Sequence, residues 1–431
     1  MLRRLIVVLS LIILSGPWGV TRAFSPAPDQ ILSGSGAGLP SARFFGQSLS
    51  ANGQYLAVGA PSGAGSAAPG AVWVYARNGA EYTLSSVLQA PSPQSGDGFG
   101  QHVQFVGNQL LVGAPFRTVA QVVARGEVFV YTLSAGQFTL AQTLQPGVAT
   151  GANDWFGFHL SADSGWLAVG VPRAGSSDEG QVQLYRYDAV GEVWLYHSAL
   201  TATAAIGRLG LRVLVRGDRV LASASQEPSA SNLLNRGFVY EYLRTGAGAG
   251  ASFSQTQRFR PSTFPEPTSP QGFGSALSLS PDGNWLIVGA PFDEELADQR
   301  VGAAYVFIRT GGQWAQAQRI ASPDIALGEN FGGAVAFDGS ARMLIGDIRQ
   351  STGNGLQTGA VHEYRLTVVP ESIWARGRSW LRGAGSDQDF FGSAVLVDSG
   401  NLIIGSSGSD ASGQDAGNVY VYSALFADGF E

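Results

Sequence analysis

The chain has 431 residues, 45% hydrophobic and 13% charged, with 59 Gly, no Cys, and 26 basic residues, all Arg, against 32 acidic ones for a formal net charge of −6. The lack of Cys excludes thiol nucleophiles, thiolate metal sites and disulfides, and the lack of Lys excludes Schiff-base catalysis and a phosphate-loop Lys. A net negative charge with no basic cluster argues against nucleic acid as a partner, while the apolar content is ample for a core.

From the N-terminus, Arg3 and Arg4, the apolar-rich run Leu5 to Leu14, and Thr21-Arg22-Ala23 follow the order of a secretory signal. That run is too short to span a bilayer comfortably. Residues 1–23 are therefore expected to be removed, leaving 23 basic against 32 acidic side chains, a net of −9, and no integral membrane span.

Next comes a short apolar segment, Gln30-Ile31-Leu32, and then a unit that recurs seven times. Each copy opens on Phe-Gly or a close equivalent: Phe45-Gly46, Phe99-Gly100, Phe156-Gly157, Leu209-Gly210, Phe273-Gly274, Phe331-Gly332 and Phe391-Gly392, 53 to 64 residues apart. A period of this size belongs to propellers and other repeat arrays. In the first copy Ser48-Leu49-Ser50 alternates with period two and predicts a strand. Asn52-Gly53 supplies the positive φ of a tight hairpin, and Tyr55 to Val58 forms the second strand. Gly59-Ala60-Pro61 closes it, because Pro has no N–H for the ladder. The third strand starts at a Gly in every copy (Gly70, Gly126, Gly180, Gly237, Gly302, Gly359 and Gly417), followed by branched and aromatic residues such as Val72-Trp73-Val74-Tyr75. A fourth strand is predicted over Thr83 to Leu88, Thr139 to Leu144 and Trp314 to Ile320.

Four antiparallel strands per repeat without a helix signal predict an all-β, seven-bladed β-propeller over residues 24–424. The seventh copy stops near Tyr422-Ser423-Ala424, one strand short, whereas Leu32 precedes Phe45 by about the distance that separates Leu88 from Phe99. The N-terminal strand is therefore expected to complete the last blade and remove two open sheet edges. Residues 425–431 lie outside the repeat as a C-terminal tail.

The combination of Phe-Gly, Gly-Ala-Pro and Gly-x-Val-x-Val-Tyr resembles FG-GAP repeats, the units of the integrin α-subunit head and of many secreted bacterial proteins. The stretch Ala304 to Trp314 is similar to the bacterial branch. The resemblance implies a secreted, periplasmic or cell-surface bacterial protein with an adhesion-like role. It also implies calcium loops between the first two strands. Here those turns read Ser-Ala-Asn-Gly (50–53), Ala-Asp-Ser-Gly (162–165) and Ser-Pro-Asp-Gly (280–283), too short and too poor in acids to wrap a cation that needs six to eight oxygens. No metal, cofactor or catalytic residue is expected.

Two groups stand out against this repeated background. His102 and His159 hold the same position, three after the Phe, and the next copy places Arg212 there, while the others carry Ser48, Ala276, Ala334 and Ala394. Three adjacent blades would thus present His, His and Arg at one level of the innermost strand, a candidate anion site, since both side chains donate to oxyanions. The connection after the second strand of the fifth copy carries Asp293, Glu294, Glu295 and Asp298, the densest acidic group, a candidate for a cation or a basic partner but more often a solvated loop. Asp97, Asp154, Glu329 and Asp389 recur two residues before the Phe and are read as acceptors that order the turns between blades. Trp73, Trp166, Trp194, Trp285 and Trp314 are read as core. The function expected is a monomeric, non-enzymatic module binding an extracellular protein or a glycan through its non-repeating loops. A lectin-like propeller and a hydrolase or lyase with a channel-mouth site are the rivals.

Overall fold

A computed structural model describes residues 27–423, except for 35–42, 63–67, 149, 203–206, 229–235, 263–270, 297–298, 324–329, 351–356, 368–371, 383–387 and 410–415. The expected signal segment, the C-terminal tail, Glu329 and Asp298 lie outside the described residues.

Blade 1 consists of Ser48–Ala51, Tyr55–Ala60, Ala71–Asn78 and Glu81–Leu88, hydrogen-bonded in that order. Blades 2 to 6 repeat the arrangement, opening on Val103–Val106, Leu160–Asp163, Val213–Arg216, Ala276–Leu279 and Phe331–Phe337. Blade 7 runs Phe391–Asp398, Asn401–Ser406 and Asn418–Tyr422, and its outer strand is Gln30–Ser33, antiparallel to Asn418–Tyr422 with Leu32 opposite Val419. The seven first strands touch one another in succession, the last against the first, around a central channel. The protein is an all-β, seven-bladed propeller. Beyond the repeat, the described residues add a small hairpin, Glu294–Leu296 with Gln299–Arg300, and a single 3-10 turn at Gly248–Gly250.

The burial follows from blades stacked face to face. Second strands such as Gln109–Ala114 and Trp285–Ala290 are buried along their whole length, because a neighbour covers each face. Outer strands such as Gln137–Leu144 stay largely exposed. The apolar core is accordingly divided between blades: Ala57, Val72 and Val74 of blade 1 meet Phe99, Val112 and Phe129 of blade 2. The Phe of each repeat is 0–1% exposed, and Leu209 fills the same place at 0%. The Trp residues read as core are buried, from Trp73 at 0% to Trp285 at 7%.

The glycines mark where backbones of adjacent blades touch. A Cβ on the third-strand glycine would strike the backbone of the next blade's Phe: Gly70 meets Phe99, Gly126 meets Phe156, and Gly417 of blade 7 meets Phe45 of blade 1. The Gly of Gly-Ala-Pro faces the Gly of the next Phe-Gly in the same way, Gly59 against Gly100 and Gly405 against Gly46. On the rim, a Gln side-chain amide clasps the backbone of an aromatic residue on the next outer strand, its Nε2 donating to the carbonyl and its Oε1 accepting from the N–H. Gln142 does so with Trp194, Gln257 with Trp314 and Gln318 with Trp374, at 2.7–3.0 Å. Gln30 makes the equivalent pair with Tyr82 at 2.7 and 2.9 Å.

Candidate functional site

Two layers surround one end of the channel, on the face that carries the blade-to-blade linkers and the connections between second and third strands. The lower layer is a cavity of about 200 Å³ whose wall includes His102, His159, Arg212, Ser48, Ala276, Ala334 and Ala394, the seven residues three after each Phe. The structure therefore brings the His-His-Arg group together in one place. The rings of His102 and His159 lie 3.8 Å apart between centroids, inclined by 40°. Opposite them the three Ala side chains leave open space.

The side chains of His102, His159 and Arg212 are all partly exposed, and few of their polar atoms have a partner among the described residues. Arg212 donates from Nη1 to the Leu211 carbonyl at 2.9 Å, and no acid is among the described residues that line its cavity. Burial pushes its guanidinium down to about 10. Burial, followed by the charge of Arg212, holds His102 down to about 3. His159 lies well below the ordinary value, from burial first, then His102 and Arg212. Both imidazoles are therefore neutral at physiological pH. Nδ1 of His159 accepts from the Val213 N–H at 3.4 Å, which leaves its Nε2 as the donor, whereas Nδ1 of His102 is buried with no hydrogen-bond partner among the described residues.

The upper layer was not foreseen from the sequence. The residue after Gly-Ala-Pro, or its equivalent, donates its N–H to the carbonyl of the residue two before the repeat's Phe. The bonds are Ser62 to Arg43, Phe116 to Asp97, Arg173 to Asp154, Gln226 to Gly207, Phe292 to Gln271 and Gly408 to Asp389, at 3.1–3.4 Å. This fixes the post-Pro residue beside the residue just before Phe. The resulting pairs are Phe44 with Ser62, Gly98 with Phe116, Trp155 with Arg173, Arg208 with Gln226, Gly272 with Phe292, and Phe390 with Gly408. Where one partner is Gly the other is aromatic, for lack of room: a Cβ on Gly98, Gly272 or Gly408 would run into Phe116, Phe292 or Phe390. Five of these six slots thus hold an aromatic ring, drawn from either side of the pair.

The rings and nearby Arg side chains form a collar. Trp155 meets Phe116 of the preceding blade edge-on at 5.4 Å and stacks at 5.7 Å on Phe158, which lines the cavity below. Arg43 lies over Phe44 at 5.5 Å, Arg173 over Trp155 at 4.8 Å and Arg349 over Phe390 at 5.9 Å. Phe292 is 42% exposed. Asp178 holds both Arg173 and Arg208, at 3.1 and 3.2 Å. Phe44, Trp155, Arg208 and Phe390 all have positive φ, between 55° and 64°. Left-handed backbone costs an L-residue about 1–2 kcal/mol. The signal in the sequence was the reciprocal large-and-small variation at two positions about 18 residues apart, meaningful only once their spatial pairing is known.

The acidic group of the fifth repeat differs from expectation. Asp293 is not on a solvated loop: it is fully buried and accepts from Tyr305 Oη at 2.6 Å, Gln271 Nε2 at 2.8 Å and Arg319 Nε at 3.0 Å. Burial raises its carboxyl despite the Arg319 charge. Blade 4 repeats the device with Glu227, Tyr240 and Arg258, so it is a structural tie between strands. Glu294 is also buried; the Glu295 side chain and Asp298 lie outside the described residues. Of the acids before each Phe, Asp97 accepts from the Gly70 and Phe99 amides at 3.2 and 3.0 Å, and Asp389 pairs with Arg382 at 2.8 Å. The hairpin acceptors are likewise engaged: Asn52 Oδ1 takes the Gln54 and Tyr55 amides.

The FG-GAP repeat family profile matches residues 268–307 and 314–364, which cover most of blades 5 and 6. No curated protein matches the chain. Among solved structures it is similar to a protein from Lactobacillus plantarum, at 15% identity and a TM-score of 0.53 over 81% of this chain and 86% of that one. It is also similar to Sqt1 of Saccharomyces cerevisiae, at 10% identity and a TM-score of 0.50 over 93% and 99% of the two chains. At these identities the likeness is one of fold.

Proposed function

We propose that this chain, an FG-GAP repeat β-propeller, is a non-catalytic module that binds an extracellular protein partner through the aromatic and Arg collar on its loop face. The domain reading that goes with it is a signal segment over 1–23, a propeller over 24–424 and a tail over 425–431, exported from a bacterial cytoplasm. The carrying observation is that aromatic side chains occupy the collar at Phe44, Trp155 and Phe390 although the backbone there favours Gly. Strain of this kind is retained where a surface has a use for the side chain. Aromatic rings and Arg are also the residues most enriched among those that dominate protein–protein binding energy.

One observation favours a glycan as the second reading. Rings at equivalent positions of several blades, with Arg beside three of them, are placed as repeated stacking platforms for sugars. Hydrolysis has less support: among its described residues the channel wall offers His and Arg but no carboxylate to share acid and base roles.

The test is a binding array of extracellular proteins and glycans, probed with the wild type and a triple variant, Phe44→Gly, Phe292→Ala, Phe390→Gly. Wild-type binding to a protein that the triple variant loses, with its thermal unfolding intact, is the expected result. Equal binding by both proteins overturns the assignment to the collar, and binding to a defined sugar replaces the protein partner with the lectin reading.

A further inference from the structure

The cavity beneath the collar has a chemistry of its own, independent of what the collar binds. Arg212 is a permanent cation in a narrow channel, and among the described residues one acceptor meets the five N–H groups that its guanidinium carries. Arg212 is partly exposed on the cavity wall and no acid lines that cavity among the described residues, so its charge acts on whatever enters the channel. The two imidazoles beside it, His102 and His159, are neutral donors, and Ser48, Ser393, Gln47 and Gln101 add neutral polar groups to the wall. No acid among the described lining residues competes for the cation. Equally informative is the opposite side, where Ala276, Ala334 and Ala394 stand at the repeat position that bulky polar residues fill on this side. The asymmetry creates a one-sided polar hollow in an otherwise symmetric ring.

We propose that His102, His159 and Arg212 form a binding site for a small oxyanion, a carboxylate or sulfate group, at the mouth of the central channel. Arg212 supplies the charge and a planar pair of donors that matches two oxygens. His159 donates from Nε2, since its Nδ1 is occupied by the Val213 amide. A metal cation fits poorly, because the fixed charge of Arg212 repels it.

Four His residues in the whole chain make the site accessible to imidazole NMR. Sodium sulfate and sodium acetate would be titrated into the wild type at constant ionic strength, with chloride as the control. Two His signals, assigned by their loss in His102→Ala and His159→Ala, are expected to shift saturably, while those of His197 and His362 stay fixed. Arg212→Gln should weaken the saturable binding by about tenfold or more, with Arg212→Lys intermediate if the glutamine variant folds poorly. An oxyanion carried on a partner chain would instead saturate with a short peptide ending in Asp and not with free acetate, which upholds the site and assigns its source. Linear shifts equal to those in chloride for all probes, or the same affinity in Arg212→Gln, would overturn it. Loss of collar binding leaves these signals unchanged, so the two readings fail separately.

Discussion

Phe44 and Phe390 hold backbone conformations that Gly98 and Gly272 adopt without strain at equivalent positions of other blades. Replacing Phe44 by Gly should therefore raise stability. Relief of about 1–2 kcal/mol of left-handed strain outweighs the roughly 0.5–1 kcal/mol by which Gly favours the unfolded chain. Urea unfolding of Phe44→Gly checks this, and a loss of stability would mean that the ring's packing, not its use, explains its presence. The histidines add a pH dependence. His362 is fully buried, with Nδ1 and Nε2 bonded to Ser379 and Gln350 at 2.8 and 2.9 Å, and burial followed by the Arg376 charge pushes it down to about 3. His102 and His159 are depressed as well. Their folded pKa values lie below the unfolded value of about 6.5, so under that pH the unfolded chain binds more protons and stability falls. Each contributes up to about 1.4 kcal/mol per pH unit of acidification until its folded pKa is reached. The urea midpoint should drop between pH 7 and pH 4, with a shallower slope in His102→Ala; an unchanged slope would show that His102 is not held neutral.

At the scale of the blade, the repeated glycines are contact surfaces more than flexible points. Gly126 and Gly79 both have positive φ, 85° and 67°, but a Cβ on Gly126 meets the Phe156 backbone whereas one on Gly79 meets nothing within 4 Å. Both alanine substitutions carry the left-handed cost, so their difference reports the blade-to-blade contact. Gly126→Ala should be less stable than Gly79→Ala by about 1–3 kcal/mol, the range for overpacking. Equal losses in chemical denaturation would contradict the close approach. The strand order, the hairpins and the buried Phe positions were legible in the sequence because they follow local rules: period-two alternation, turn residues and a donor-free Pro. The tie between Asp293, Tyr305 and Arg319 was not. Its acid sits in a run that reads as a solvated loop, and only the pairing of the third and fourth strands delivers its partners.

For the whole molecule, the outer strand of blade 7 comes from the opposite end of the chain. Leu32 is 4% exposed in a cluster with Phe45, Trp73 and Val419, and Gln30 clasps Tyr82 as the other Gln residues clasp their aromatics. Leu32→Ala should cost about 2–5 kcal/mol, as for other buried leucines, and deleting residues 24–36 should lower and broaden the thermal transition. A truncated protein that melts cooperatively at the wild-type temperature would show that this strand adds nothing to the ring. The sequence by itself determined the repeat, the number of blades and the level of the wall at which His102, His159 and Arg212 stand, since each rests on spacing along one chain. Tertiary structure alone decided which glycine meets which blade, that Gly98 and Phe116 share one slot, and that the His-His-Arg group faces three alanines across a hollow. Those are relations between segments tens to hundreds of residues apart, set by how rigid blades stack around a closed circle, and no local propensity encodes them.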